Sequence, residues 1–169
     1  AKNKQADDDD ETAPESVETE ILDREIIFID AGVDDKDGLI ASLEPGVSVH
    51  ILDAKQDGVQ QIADILSNGD SYSAVHIFSH GQSGQLQLGN TILDINSMRG
   101  EHRLALRSIG NAIDADGDLL LYGCDFGNGA EGQQAAREPS FVTGADIAAS
   151  YDLTGAASLA GDWDLEVQV

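Results

Sequence analysis

The chain has 169 residues, and 9 basic against 32 acidic side chains give it a formal charge of −23 on an ordinary hydrophobic content of 41%. That charge repels nucleic-acid phosphates and anionic lipid, so neither is expected as a partner. No apolar run approaches the roughly 20 residues of a membrane-spanning helix, so no membrane insertion is expected.

Residues 1–24 read as an acidic, aromatic-free arm or linker carrying the run Asp7–Asp10. Residues 25–169 read as one α/β domain, and a single cysteine leaves that domain to stand on packing without an internal disulfide. The start at Ala1 and the strand-like end "LEVQV" suggest a piece of a longer polypeptide.

In chain order, "EIIFID" (25–30) is a strand running into a loop, and "GLIASL" is a short helix closed by Glu44-Pro45-Gly46. "VSVHIL" (47–52) is a second strand. "DGVQQIADILSNG" (57–69) spaces Val59, Ile62, Ile65 and Leu66 as a helix, with Asp57 as its cap. "SAVHIFSHG" (73–81) is a third strand, and "QLQLGNTIL" (85–93) alternates around Gly89-Asn90 as a hairpin. The stretch 95–113 is helical with a break near Gly100. "DLLLYG" (118–123) is a fourth strand, and 130–137 a short helix expected to stop at Pro139. "ADIAAS" (145–150) is a fifth strand, and "ASLAGDWDLEV" reads as a closing hairpin anchored by Trp163.

Strands alternating with helices predict a mostly parallel sheet covered on both faces. Right-handed crossovers place all strand C-termini on one rim, where sites form in open sheets. The polar residues ending the runs are Asp30, Asp53, His80, Cys124 and Ser150. Two of them make a chemical pair. His80 and Cys124 each end a short apolar strand next to a glycine, so neighbouring strands would bring them together. A cysteine nucleophile needs an assisting base, which a histidine supplies. Gly81 N–H together with Cys124 N–H could form an oxyanion hole.

"HIFSHG" followed by "LLLYGC" resembles the His-Gly and strand-terminal Cys signatures of the caspase-like cysteine peptidases. More closely, "IIFIDAGVDD", "VHILDAKQDGVQQIADIL", "HIFSHGQSGQLQLGN", "LLLYGCDFGNGAEGQ" and "TGADIAASYDLTGAASLAGDWDLE" resemble a bacterial domain-of-unknown-function family. That family occurs near the N-termini of very large secreted proteins with cadherin-like or RTX repeats, many of them adhesins. The resemblance implies a caspase-like three-layer sandwich with a C-terminal hairpin. It makes Cys124 the nucleophile, His80 the general acid/base, and Gly81 and Cys124 the oxyanion hole. It assigns no triad aspartate, requires no cofactor, and implies a polypeptide substrate, including the parent chain itself. Asp125, Ser150 and Asp152 would flank the substrate side chain, an acidic wall suited to Arg or Lys. The implied location is secreted or on the cell surface, within a larger bacterial protein. The proline in "QQAAREPSFVTG" departs from the family pattern beside Cys124.

Other patterns are weaker. "DADGD" (114–118) reads as a turn ahead of a strand, and "GVDDKDG" (32–38) as the start of a helix. Calcium is possible at either, but neither completes a calcium loop. His76 is expected to face the core; with His80 and Cys124 it would make only three zinc ligands. His50 and His102 carry no pattern. The rival reading of the whole is a non-catalytic structural or retention module of an adhesin, and a further one is a small-molecule-binding module using the same rim.

Overall fold

The computed structural model describes residues 24–43, 45, 47–150 and 167–169. The arm 1–23, Asp152, Trp163 and most of the expected closing hairpin lie outside those residues.

The central sheet contains β1 (Glu25–Ile29), β2 (Ser48–Ile51), β3 (Tyr72–Ser79), β7 (Ile113–Gly123), β8 (Asp146–Ala149) and β9 (Val167–Gln168). Its order is β2-β1-β3-β7-β8-β9, with β9 alone antiparallel among the described strands. A second, antiparallel sheet is formed by β4 (Gly81–Gln82), β5 (Gln85–Leu88) and β6 (Thr91–Leu93).

Alternation along β1 sorts the two faces of the main sheet. Ile26 and Phe28 join a large core with Val59, Ile62 and Leu66 of α2 (Gly58–Leu66) and Leu106 and Ile109 of α4 (Arg103–Asn111). Ile27 and Ile29 face the other way, with Phe78 and Tyr122, against Leu39 and Ile40 of α1 (Lys36–Ser42). Successive strand side chains point to opposite faces, so a continuously apolar strand requires cover on both. The result is a three-layer α/β arrangement.

The helix ends follow local chemistry. Asp57 accepts from Val59 N at 2.9 Å and Gln60 N at 3.1 Å, and Asp94 caps α3 (Ile95–Arg99) with a reciprocal bond to Ser97. The helical stretch 95–113 breaks at Gly100 into α3 and α4. Asp35 caps α1, so "GVDDKDG" does start a helix.

Two expectations are corrected. Helix α5 (Gly129–Thr143) does not stop at Pro139 but carries it inside, buried. A proline in a helix interior forfeits one backbone bond and clashes with the preceding turn, at a cost of about 3 kcal/mol. Ala135, Ala136 and Pro139 are all buried, and that face of α5 offsets the cost. The helix ends instead at Gly144, whose φ of 75° supplies a left-handed cap. Strand β7 begins at Ile113, five residues before the expected 118. Tyr72 pairs with Ile113 and Ala74 with Asp118, so "DADGD" interrupts the ladder as an irregularity within the strand.

Candidate active site

The parallel pair β3–β7 carries the two residues singled out by chemistry. Its last registered partners are Ser79 and Gly123, so His80 and Cys124 are the next residue on each strand. Just below them, Phe78 and Tyr122 stack with ring centroids 4.2 Å apart and planes at 2°. Gly81 crosses directly over the other strand end. A Cβ there would meet Cys124 O at 2.8 Å and the Gly123 carbonyl carbon at 3.0 Å. Only glycine permits that approach, and it carries the backbone past Cys124 into β4.

His80 is held from the β1 side. Its Nε2 lies 2.6 Å from the Gly32 carbonyl oxygen. A carbonyl only accepts, so Nε2 carries a proton and Nδ1 is the ring atom left for chemistry. Gly32 is fixed in turn by Asp30, a buried carboxylate at the end of β1. Asp30 Oδ2 accepts from Gly32 N at 2.9 Å, and its Oδ1 from Gly89 N at 2.6 Å. One side chain therefore ties the loop behind His80 to the β5–β6 hairpin.

Cys124 sits half-buried at the head of a tight turn. Phe126 N donates to Gly123 O at 3.0 Å and Asn128 N to Asp125 O at 3.0 Å. Asp125 adopts φ 57°, in the left-handed region that a non-glycine residue visits rarely. Fully buried Phe126 anchors the turn, and Gly84 N donates to its carbonyl at 2.9 Å. Ser150 is placed differently from expectation. It is fully buried, and its hydroxyl donates to Gly123 O at 2.7 Å. In that position it braces the Cys124 turn from beneath and does not line a substrate wall. Asp125 is half-buried beside Cys124, and Asp152 lies outside the described residues.

On the open side of His80 is a cavity of about 300 Å³ lined by His80, Gly81, Gln82, Gln85, Gln87 and Ile92. Gln82 donates to the Gln85 side chain, and Gln87 Nε2 reaches the Gly89 and Thr91 carbonyls at 2.8 and 3.1 Å. The cavity wall thus sets three glutamine amides beside the apolar side chain of Ile92 and carries no carboxylate, on a protein of high negative charge. These glutamines carry no sequence signal, because the small antiparallel sheet assembles them.

His76 is separated from this chemistry. Its Nε2 lies 3.3 Å from Glu25 Oε2, and its ring stacks on Tyr122 at 5.9 Å. Burial holds the imidazole below its ordinary pKa, with Glu25 opposing the shift. Burial likewise raises the Tyr122 phenol, with Glu25 adding to it. Among the described residues, no three His, Cys, Asp or Glu side chains are grouped to hold a metal ion. No helix of the described residues is long and apolar enough to cross a membrane.

Comparison with solved structures finds a crystal structure of a small-chain dehydrogenase, at 8% identity and a TM-score of 0.34, covering 73% of this chain and 71% of that one. No curated protein matches the chain. Residues 26–169 match the family described as Domain of unknown function (DUF4347), and the chain belongs to that family.

Proposed function

We propose that this domain is a caspase-like cysteine endopeptidase, with Cys124 as nucleophile and His80 as general acid/base. The observation that carries the reading is the register of β3 on β7, which ends at Ser79 and Gly123 with His80 and Cys124 next in line.

The chemistry follows from the atoms. With Nε2–H engaged on Gly32 O, Nδ1 of His80 takes the thiol proton. The Cys124 sulfur attacks the substrate carbonyl carbon, and the carbonyl electron pair moves to oxygen. The Gly81 and Cys124 N–H groups steady that oxyanion. Collapse breaks the C–N bond, and His80 gives its proton to the departing amine. Water then attacks the thioester carbon, passing a proton through His80 back to sulfur, which leaves a carboxylate product and the free thiol. Asp125, beside the nucleophile, favours a basic side chain on the substrate. The cavity on the other side of His80, walled by Gln82, Gln85, Gln87 and Ile92, suits uncharged residues. The polypeptide substrate includes the parent chain, and the setting is a large exported bacterial surface protein.

The test is the rate at which Cys124 reacts with iodoacetamide and with a lysyl peptide acyloxymethyl ketone at neutral pH. Labelling faster than a free thiol, lost in His80→Ala, is the expected result. Labelling only after denaturation would overturn the reading in favour of a non-catalytic module. Self-processing is read from the intact masses of full-length wild type and Cys124→Ala, with and without calcium, where identical single masses would exclude it.

A further inference from the structure

The face of the sheet that carries α3, α4 and α5 holds a second and larger groove, of about 720 Å³. Arg99, Arg103 and Arg107 line it, three of the nine lysines and arginines in a chain of charge −23. Arg103, Arg107 and Asn111 recur every four residues and so form one stripe along α4. The groove is closed where α4 and α5 touch. A Cβ on Gly110 would collide with the Thr143 carbonyl oxygen. Phe141, 83% exposed, forms an apolar lip.

The single carboxylate on the wall is already satisfied. Glu138 is bound two-pronged by Arg99, at 2.8 and 2.9 Å. Arg103 and Arg107 have no carboxylate at ion-pair distance among the described residues. Two guanidinium groups with no ion pair among the described residues, on so acidic a surface, are a concentrated recognition feature, because Arg binds carboxylates through a preformed fork of donors.

We propose that this groove docks the acidic run Asp7–Glu11 of the same chain. Two observations select that occupant over an outside partner. Residues 1–23 carry nine acidic and two basic side chains, and five of the acidic ones are consecutive at 7–11. The arm also joins the fold close to the groove. Ser73 N donates to Arg24 O at 2.8 Å, and the adjacent Tyr72 N donates to Ala112 O at 2.8 Å. Arg24 therefore lies two strand spacings, about 10 Å, from the residue following Asn111 of the groove. The thirteen residues from Glu11 to Arg24 reach about 45 Å when extended, ample for that distance. Tethering at such range gives an effective concentration on the order of millimolar, so modest ion pairs suffice to fill the groove. The inference does not depend on the peptidase reading.

The experiment adds the fluorescein-labelled peptide of residues 4–13 to the full chain at low salt and follows anisotropy. Wild type is compared with a vacated variant, Asp7→Asn, Asp8→Asn, Asp9→Asn, Asp10→Asn and Glu11→Gln together. The expected result is binding at least ten-fold tighter to the vacated variant, because the tethered run no longer competes. Adding Arg103→Gln and Arg107→Gln to that variant should abolish binding while the circular dichroism spectrum of the folded chain stays unchanged. Equal affinity for wild type and the vacated variant would overturn the proposal and make the groove open to an outside acidic segment. Binding that survives the two arginine substitutions would also overturn it. Displacement by inorganic phosphate as effectively as by unlabelled peptide would reduce the groove to a plain anion site, and so overturn it too.

Discussion

Gly81 and Cys124 interlock through their backbones, with a hypothetical Cβ on Gly81 only 2.8 Å from the Cys124 carbonyl oxygen. Backbone on backbone leaves no flexible group to move aside. Gly81→Ala must push β4 away from the Cys124 turn, and overpacking of this kind costs about 1–3 kcal/mol. The same displacement moves one of the two N–H groups assigned to the oxyanion. The expected outcome is a protein that melts lower yet still folds, and a 10- to 100-fold slower reaction of Cys124 with the acyloxymethyl ketone. An unchanged labelling rate would remove Gly81 from the proposed oxyanion hole.

Asp30 acts on His80 through Gly32 and is a positioning residue. In Asp30→Asn, one of the two backbone N–H groups now held by carboxylate oxygens faces an NH₂ donor instead, which loosens Gly32 and so the carbonyl that orients His80. Labelling of Cys124 is expected to slow about ten-fold. The separating measurement is the double variant with His80→Ala. If Asp30 works through the imidazole, Asp30→Asn has no further effect once His80 is gone. An equal ten-fold loss in both backgrounds would mean only general destabilisation.

The parallel sheet is legible in sequence because both faces of its strands are buried, which makes runs such as "EIIFID" and "DLLLYG" continuous and apolar. His80 and Cys124 are legible because each ends such a run. Asp30 stands out only as a run-ending polar residue. Its role is not legible, since one of its two partners, Gly89, comes from 59 residues away. Ser150 misleads for a related reason: a polar residue at a strand end reads as exposed, whereas tertiary packing seals it under Gly123. Pro139 misleads because a local breaking signal of about 3 kcal/mol is overridden by burial of one helix face. The arginine groove has no sequence signature of its own. It exists because α3, α4 and α5 pack side by side.

His102 is a buried histidine with one partner. Its Nε2 lies 2.8 Å from Asp57 Oδ2, while Nδ1 is buried without a hydrogen bond among the described residues. Asp57 thus caps α2 and satisfies His102 at once. Asp57→Ala loses a helix cap, about 1 kcal/mol, and leaves a second ring nitrogen of His102 unpaired, about 1–3 kcal/mol more. Urea denaturation should show a total loss of about 2–4 kcal/mol. In a His102→Leu background the same substitution should cost only the cap. Equal losses in both backgrounds would show that the Asp57–His102 bond contributes nothing to stability.

Glu138 sets an acid limit on stability through Arg99. The hydrogen bonds from Arg99 hold its carboxyl below the ordinary value of 4.5, with burial opposing and the charges of Arg99 and Arg103 assisting. The folded state therefore keeps this carboxylate ionised at a pH where the unfolded chain has already taken up a proton. The unfolded state binds more protons in that window, so stability falls as pH falls. The contribution is complete above the unfolded value near 4.5 and disappears as pH drops through the lower folded value. Glu138→Gln removes the titration while keeping shape. Its melting temperature should lie below that of wild type at pH 7 and converge with it as pH falls below 4.5. A constant offset between the two curves across that range would show that the Arg99–Glu138 pair is not the source of the acid dependence.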